Sequence, residues 1–272
     1  MQVDIAQGQM AVVVLAGDRN SEHELLKYTG AGCKAFIEIN RMPMLLRVIR
    51  ALDQAHLVDN ILLSGPRKQQ LHLQPEISSL VDTGKIRWYE PQSTPSTSAY
   101  QVLQTLPKGT AVLVTTADLP FLNADIVDRF CARSLAQDAD VTVGLAPYEL
   151  VKQSFPDMKK TVLRFKNGHF CGCNLFAINT QKGRQVANWW RQVESQRKKP
   201  LRIISLLGWR TVIAYLLGLL SLESALAVLS RQLNLRIGVV ILPYANAAVD
   251  VDSVADYVIV TQRIAEDSPS GI

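Results

Sequence analysis

Apolar residues follow two rhythms along this chain. Short strand-like segments lie at 10–16, 60–64, 86–90, 110–116 and 140–145, and amphipathic helical patterns recur near 43–55, 98–106 and 123–136. Within 110–116 the continuous apolar Val112, Leu113 and Val114 read as a strand buried on both faces. The alternation of such segments with helices predicts an α/β fold of three layers, α/β/α, with a mostly parallel sheet between two helical faces. Beyond residue 160 the rhythm changes. The runs 161–166 and 169–179 flank Asn167-Gly168, a strong hairpin signal. A helical section follows over about 182–232, and one more strand-like run covers 235–242. No repeat of fixed period is visible. The expectation is a single domain over 1–272 with a helical insertion at about 182–232.

Strand ends are where open α/β folds bind ligands, and one such end carries a lone acid. Val112, Leu113 and Val114 lead to Asp118, and Pro120 forces the chain to turn just beyond it. Asp118 there suits a hard cation such as Mg2+ held between carboxylates and substrate phosphates. A cap for the following helix is the equal alternative on position alone. The first strand breaks in the same way into Leu15-Ala16-Gly17-Asp18-Arg19, where a glycine permits close approach, neighbouring amides can face an anion and Arg19 can fork onto phosphate. Lys34, farther along that excursion, offers a point charge to a second phosphate. Gly30 to Ala35 formally fits a dinucleotide fingerprint, but a polar loop precedes it and no helix pattern follows, so that reading is set aside. Near the C-terminus, alternation puts Asp250 and Asp252 on one side of an extended segment, and Ser253 with Asp256 opens a helix.

Taken in chain order, these pieces resemble the MobA-like nucleotidyltransferases, which share the nucleotide-diphospho-sugar transferase (GT-A-like) fold. Val14 to Arg19 stands at the family's Leu-Ala-Gly loop, Lys34 and Asn40-Arg41-Met42-Pro43-Met44-Leu45 at its Lys and Pro-Met-Leu segment, Asp118-Leu119-Pro120-Phe121 at its Asp-x-Pro-Phe, and Asp250 to Asp256 at its last acidic motif. The likeness runs from about 12 to 257. It departs where Asp18 replaces a second glycine, where the loop to Lys34 is longer and where Val254 replaces a proline.

The resemblance implies Mg2+ as cofactor, with Asp118 and Asp252 as its ligands and Asp250 as the second choice. It implies a nucleoside triphosphate bound by Leu15, Ala16, Gly17, Asp18, Arg19 and Lys34. Lys34, Arg19 and Asp118 then carry the catalysis. The base falls to the loop 91–98, through Ser93, Ser96 and Ser98, with Ser98 also read as capping a helix from Ala99. Gly172-Cys173-Asn174 resembles an element that contacts the second substrate, so Asn174, Lys160 and Arg164 are candidates for a phosphorylated small-molecule acceptor. The reaction implied transfers a nucleoside monophosphate and releases pyrophosphate. A GT-A-type glycosyltransferase is the first rival, although Thr116-Ala117-Asp118 lacks its usual Asp-x-Asp. A non-catalytic nucleotide-binding protein is the second.

Composition narrows these readings only at the edges. The formal charge of +5 favours anionic ligands but gives no clustered basic face, so nucleic acid is not expected. Residues 1–10 show no signal-peptide pattern, and the chain's 4 cysteines give no disulfide framework, which predicts a cytoplasmic setting. His169, Cys171 and Cys173 alternate on one strand face, but a fourth zinc ligand is missing and small buried cysteines are the preferred reading. Arg197, Lys198, Lys199 and Arg202 precede an apolar run at 211–222 that is too short to span a bilayer. For about 197–230 a peripheral membrane contact and a homodimer contact stay open beside simple packing on the core.

Overall fold

The computed structural model describes residues 8–18, 24–195 and 208–267. Arg19, Arg197, Lys198, Lys199 and Arg202 therefore lie outside the described residues. The strands are β1 (Met10–Leu15), the small hairpin β2 (Glu38–Ile39) and β3 (Met42–Pro43), β4 (Val58–Ser64), β5 (Ile86–Tyr89), β6 (Val112–Thr116), β7 (Val141–Pro147), β8 (Leu163–Phe165), β9 (Gly168–Ile178) and β10 (Ile237–Ile241). The central sheet runs β10-β7-β9-β6-β1-β4-β5, with β8 paired to β9. Every pairing among β6, β1, β4 and β5 is parallel, as is β10 with β7, while β9 is antiparallel to both β6 and β7.

Burial explains why β1 is central. All six of its residues are buried. Met10, Val12 and Val14 pack on one face with residues of the helices Met44–Asp53, Ala124–Leu135 and Val254–Asp267. Ala11, Val13 and Leu15 pack on the other with the helices Pro95–Thr105 and Gln185–Ser195. The period of two along a strand thus feeds two separate cores, which gives the three layers expected from sequence. Among the described residues the expected helical section holds the helices Gln185–Ser195, Trp209–Leu216 and Leu222–Leu233, and β10 then returns the chain to the sheet. The helix Trp209–Leu216 buries no residue, and Trp209, Leu216, Leu217 and Leu219 beyond it are exposed. No helix among the described residues is long and apolar enough to cross a membrane.

One buried acid ties the returning strand to the sheet. Asp140, just ahead of β7, accepts from the Arg236 amide at 2.8 Å and from the Thr180 hydroxyl at 2.7 Å. Burial works to raise its pKa, but these donors and the Arg236 guanidinium outweigh it and hold the carboxyl at about 2. A folded-state pKa below the unfolded value of about 3.9 means that the stabilisation is present above that pH. It is lost as pH falls toward 2. Asp140→Asn is expected to cost about 1–2 kcal/mol at neutral pH, with the gap to the parent closing in acid. Urea unfolding at neutral pH and near pH 2.5 checks this, and an equal gap at both would refute it.

Candidate active site

The end of β6 delivers Asp118 to the C-terminal edge of the sheet. Ala117 is held there by its amide, which donates to the Leu15 carbonyl at 3.0 Å. The helix that follows begins only at Ala124 and is capped by Asn123, whose side chain accepts from the Ile126 amide at 3.0 Å. Asp118 is thus not that helix's cap. Instead the Thr116 hydroxyl, two residues back on the same strand face, donates to Asp118 Oδ1 at 2.5 Å.

Two distant segments meet this acid. The chain after β10 passes beside it, with the Val251 amide donating to the Asp118 carbonyl at 3.1 Å. Ser253 and Asp256 form the expected reciprocal cap, the Ser253 amide reaching Asp256 Oδ2 at 2.9 Å and the Asp256 amide reaching Ser253 Oγ at 3.2 Å. Capping is thereby done by others, and Asp252 turns its carboxylate to Lys34. Lys34 Nζ donates at 2.5 Å to Asp118 Oδ2 and at 2.5 Å to Asp252 Oδ1. Burial alone would lower the Lys34 pKa, but the two carboxylates override it and the net shift is upward, so the ammonium stays charged. The main chain of Lys34 is held as well, its amide donating to Asp18 Oδ2 at 2.9 Å and Oδ1 at 3.2 Å. Beside it, burial and then the Asp18 charge push the Cys33 thiol up to about 12.

These groups line a cleft of about 390 Å3. Leu15, Ala16, Gly17, Asp18, Lys34, Asp118 and Asp252 form part of its wall, and Gln92, Ser93, Thr94 and Ser98 contribute from the loop after β5. Gly17 is required by packing: a Cβ there would sit 2.9 Å from Pro91 Cβ. Two expectations about that loop are corrected. The helix begins at Pro95, not Ala99, because Thr94 is its cap and accepts from the Thr97 amide at 3.2 Å, while Pro95 is pre-set for the first helical position. Ser98 therefore lies inside the helix and its hydroxyl accepts from the Gln92 amide at 2.9 Å. Ser96 is buried and does not line the cleft; its hydroxyl meets Thr94 and its amide donates to Glu194 at 3.2 Å.

Asp250 belongs to a neighbouring group rather than to the Lys34 cation. It pairs with the ammonium of Lys160, whose side chain is only 10% exposed, and accepts from Asn174 Nδ2 at 3.1 Å. Asn174 and Lys160, read together as acceptor candidates, thus meet on Asp250, and Asn174 has a left-handed φ of 51°. Arg164 is exposed on β8, and its amide donates to the Tyr215 hydroxyl at 3.2 Å. Cys171 and Cys173 are buried, and the His169 ring lies 4.0 Å from Glu149.

The donor set can be tested against Mg2+. Asp118 and Asp252 already place one oxygen each on a single positive charge, with Lys34 Nζ standing in for a cation. Among the described residues no group of three or more His, Cys, Asp or Glu is poised for a metal. Two carboxylates without a full protein cage fit Mg2+, which commonly takes one or two acids and fills its shell with phosphates and water. Thr116 lines the cleft and was not named as a site residue in the sequence reading, and Gln92 and Thr94 line it from the loop 91–98, where only the serines had been named. Thr116 was detectable as the same-face neighbour two before Asp118, and Thr94 as a hydroxyl directly before a proline.

Sheet order and antiparallel β9 are those of the nucleotide-diphospho-sugar transferase fold, with the cleft at the strand ends. The chain belongs to the family of the MobA-like NTP transferase domain, which matches residues 12–230. A structure titled as a hypothetical transferase from Thermus thermophilus is similar to it with a TM-score of 0.77 and 28% identity, covering 92% of this chain and 99% of that one. CMP:2-keto-3-deoxy-manno-octonic acid synthetase complexed with CTP shares the fold at a TM-score of 0.58 and 11% identity, over 96% of this chain and 100% of its own. The 4-diphosphocytidyl-2C-methyl-D-erythritol synthase from Anaerococcus prevotii does so at 0.57 and 11%, over 95% and 100%. No curated protein sequence matches the chain significantly.

Proposed function

We propose that this protein is a Mg2+-dependent nucleotidyltransferase that moves a nucleoside monophosphate from a nucleoside triphosphate to a phosphorylated small molecule. The observation that carries the reading is the meeting of Asp118 and Asp252 on the Lys34 ammonium, 2.5 Å from each, although Lys34 and Asp252 are 218 residues apart. An oxygen of the acceptor phosphate attacks the α-phosphorus, the bond from that phosphorus to the β-bridging oxygen breaks, and pyrophosphate leaves with the electron pair. Such chemistry requires positioning and charge stabilisation more than covalent help. Mg2+ held by Asp118 and Asp252 would neutralise charge on the phosphates and orient them. Lys34 supplies a permanent positive charge on a flexible stem that can follow the α-phosphate. Leu15 to Asp18 and the loop carrying Gln92, Ser93 and Thr94 enclose the nucleotide.

The acceptor is assigned to the Lys160, Asp250 and Asn174 group. Lys160 supplies the cation of that group, and Asp250, itself held by Asn174, fixes its position. The two cytidine-linked relatives share only the fold, so the base is left to experiment. Full-length protein with Mg2+ and each of the four triphosphates, supplied with a panel of sugar, polyol and other metabolite phosphates, is expected to release pyrophosphate with at least one pair. Release of a free nucleoside diphosphate from a nucleotide sugar instead would move the protein to the glycosyltransferases. Nucleotide binding without product in any combination would make it a binding protein.

A further inference from the structure

The helix Trp209–Leu216 is oriented the wrong way round for a helix that only packs on a core, because such a helix turns its apolar stripe inward. Here Trp209, Ile213, Leu216 and Leu217 share one face at helical spacing, and all of them are exposed, as is Leu219 just beyond. The chain carries no charged side chain from Thr211 to Leu222. Another face holds the helix down. The Tyr215 ring meets Phe165 edge-on at 5.8 Å, and its hydroxyl accepts from the Arg164 amide at 3.2 Å. The Lys166 amide donates to the Leu220 carbonyl at 2.9 Å, so the stripe is fixed facing outward.

Three cations flank it. Arg164 and Lys166 are exposed on the segment that clamps the helix, and the Arg210 guanidinium lies over the Trp209 ring at 5.6 Å from its centre. The next acid along the chain, Glu223, is engaged by Asn167, whose Nδ2 reaches both of its oxygens at 2.9 Å. We propose that this stripe docks on an anionic lipid bilayer, with Trp209 and the leucines entering the interface and Arg164, Lys166 and Arg210 meeting the headgroups. A tryptophan suits that depth because its ring is apolar while its indole N–H stays within reach of polar groups. A second copy of this chain fits less well. In a two-fold pair the same patch faces itself, which would bring two sets of these cations together. The helix is far too short to span a bilayer, so the contact is peripheral.

Flotation of the full chain with vesicles of phosphatidylcholine and phosphatidylserine in equal parts, against vesicles of phosphatidylcholine alone, tests this. The parent is expected to partition at least about tenfold more strongly onto the mixed vesicles. The double variant Leu216→Ser with Leu217→Ser changes two exposed positions, Leu216 being 76% exposed, and is expected to keep the circular dichroism spectrum of the parent. Its binding to the mixed vesicles is expected to be at least about tenfold weaker. Should that variant misfold, brominated lipid reads the stripe by tryptophan quenching, which Trp209→Phe is expected to reduce by at least about half. A parent that does not float, binding undiminished in a folded leucine variant, or quenching undiminished in Trp209→Phe would each overturn the proposal. So would a parent that is dimeric by analytical ultracentrifugation and becomes monomeric in the leucine variant, because the stripe would then belong to a second copy.

Discussion

Asp118→Asn is expected to lower pyrophosphate-releasing turnover by at least about a thousandfold while leaving the thermal midpoint within a few degrees of the parent. The two effects separate for a physical reason. Asparagine has the same shape and keeps an oxygen for the Thr116 hydroxyl, which sits 2.5 Å from Asp118 Oδ1. The ion pair it loses is partly exposed, with 18% of the Asp118 side chain and 27% of the Lys34 side chain open to solvent. Pairs of that kind contribute about 1 kcal/mol or less. What the substitution removes is negative charge at the point where the strand end meets the cleft, and with it one of the two carboxylates proposed to hold a divalent cation. Steady-state pyrophosphate release and differential scanning fluorimetry on the same preparation give both numbers. Activity within tenfold of the parent would take Asp118 out of the chemistry.

Lys34→Met is the second large effect, and it carries two opposite signs. Turnover is expected to fall by about a hundredfold to ten-thousandfold, because the cation assigned to the α-phosphate is gone. Metal affinity in the free protein is expected to rise, by about tenfold, because the ammonium that now shares Asp118 and Asp252 no longer competes for them. Titration with Mn2+ followed by electron paramagnetic resonance reads that affinity without any substrate. Weaker Mn2+ binding in the variant would show that the two acids do not form a metal pair. Since the Lys34 pKa is shifted upward, its charge is fully present at neutral pH and persists beyond the range of an ordinary lysine.

Local signals in the chain pointed to the strand end that carries Asp118 more directly than to the order of the sheet. Asp118 was legible because a buried apolar run, a single acid and a proline occur together, and each limits what the next can do. The hairpin at Asn167-Gly168 was legible for the same local reason, and β8 pairs with β9 as expected. That β9 then enters the main sheet between β6 and β7 was not, because a strand's alternation says which face is buried and not which neighbour it meets. Asp250 and Asp252 show the same limit. Alternation put both on one side, yet Asp252 reaches Lys34 and Asp250 reaches Lys160, a division set by partners far away in sequence. The misplaced helix start in the loop 91–98 is different in kind. Thr94 before Pro95 was a readable cap, and the surplus of hydroxyls around it obscured the choice.

The place of β9 in the sheet has a consequence for synthesis. β6 and β7 are never neighbours, and both wait for a strand that ends at Ile178 before their facing edges are covered. Asp252 emerges later still, behind β10. A nascent chain released early from the ribosome would therefore possess Lys34 and Asp118 but lack the second carboxylate of their ion-pair cluster.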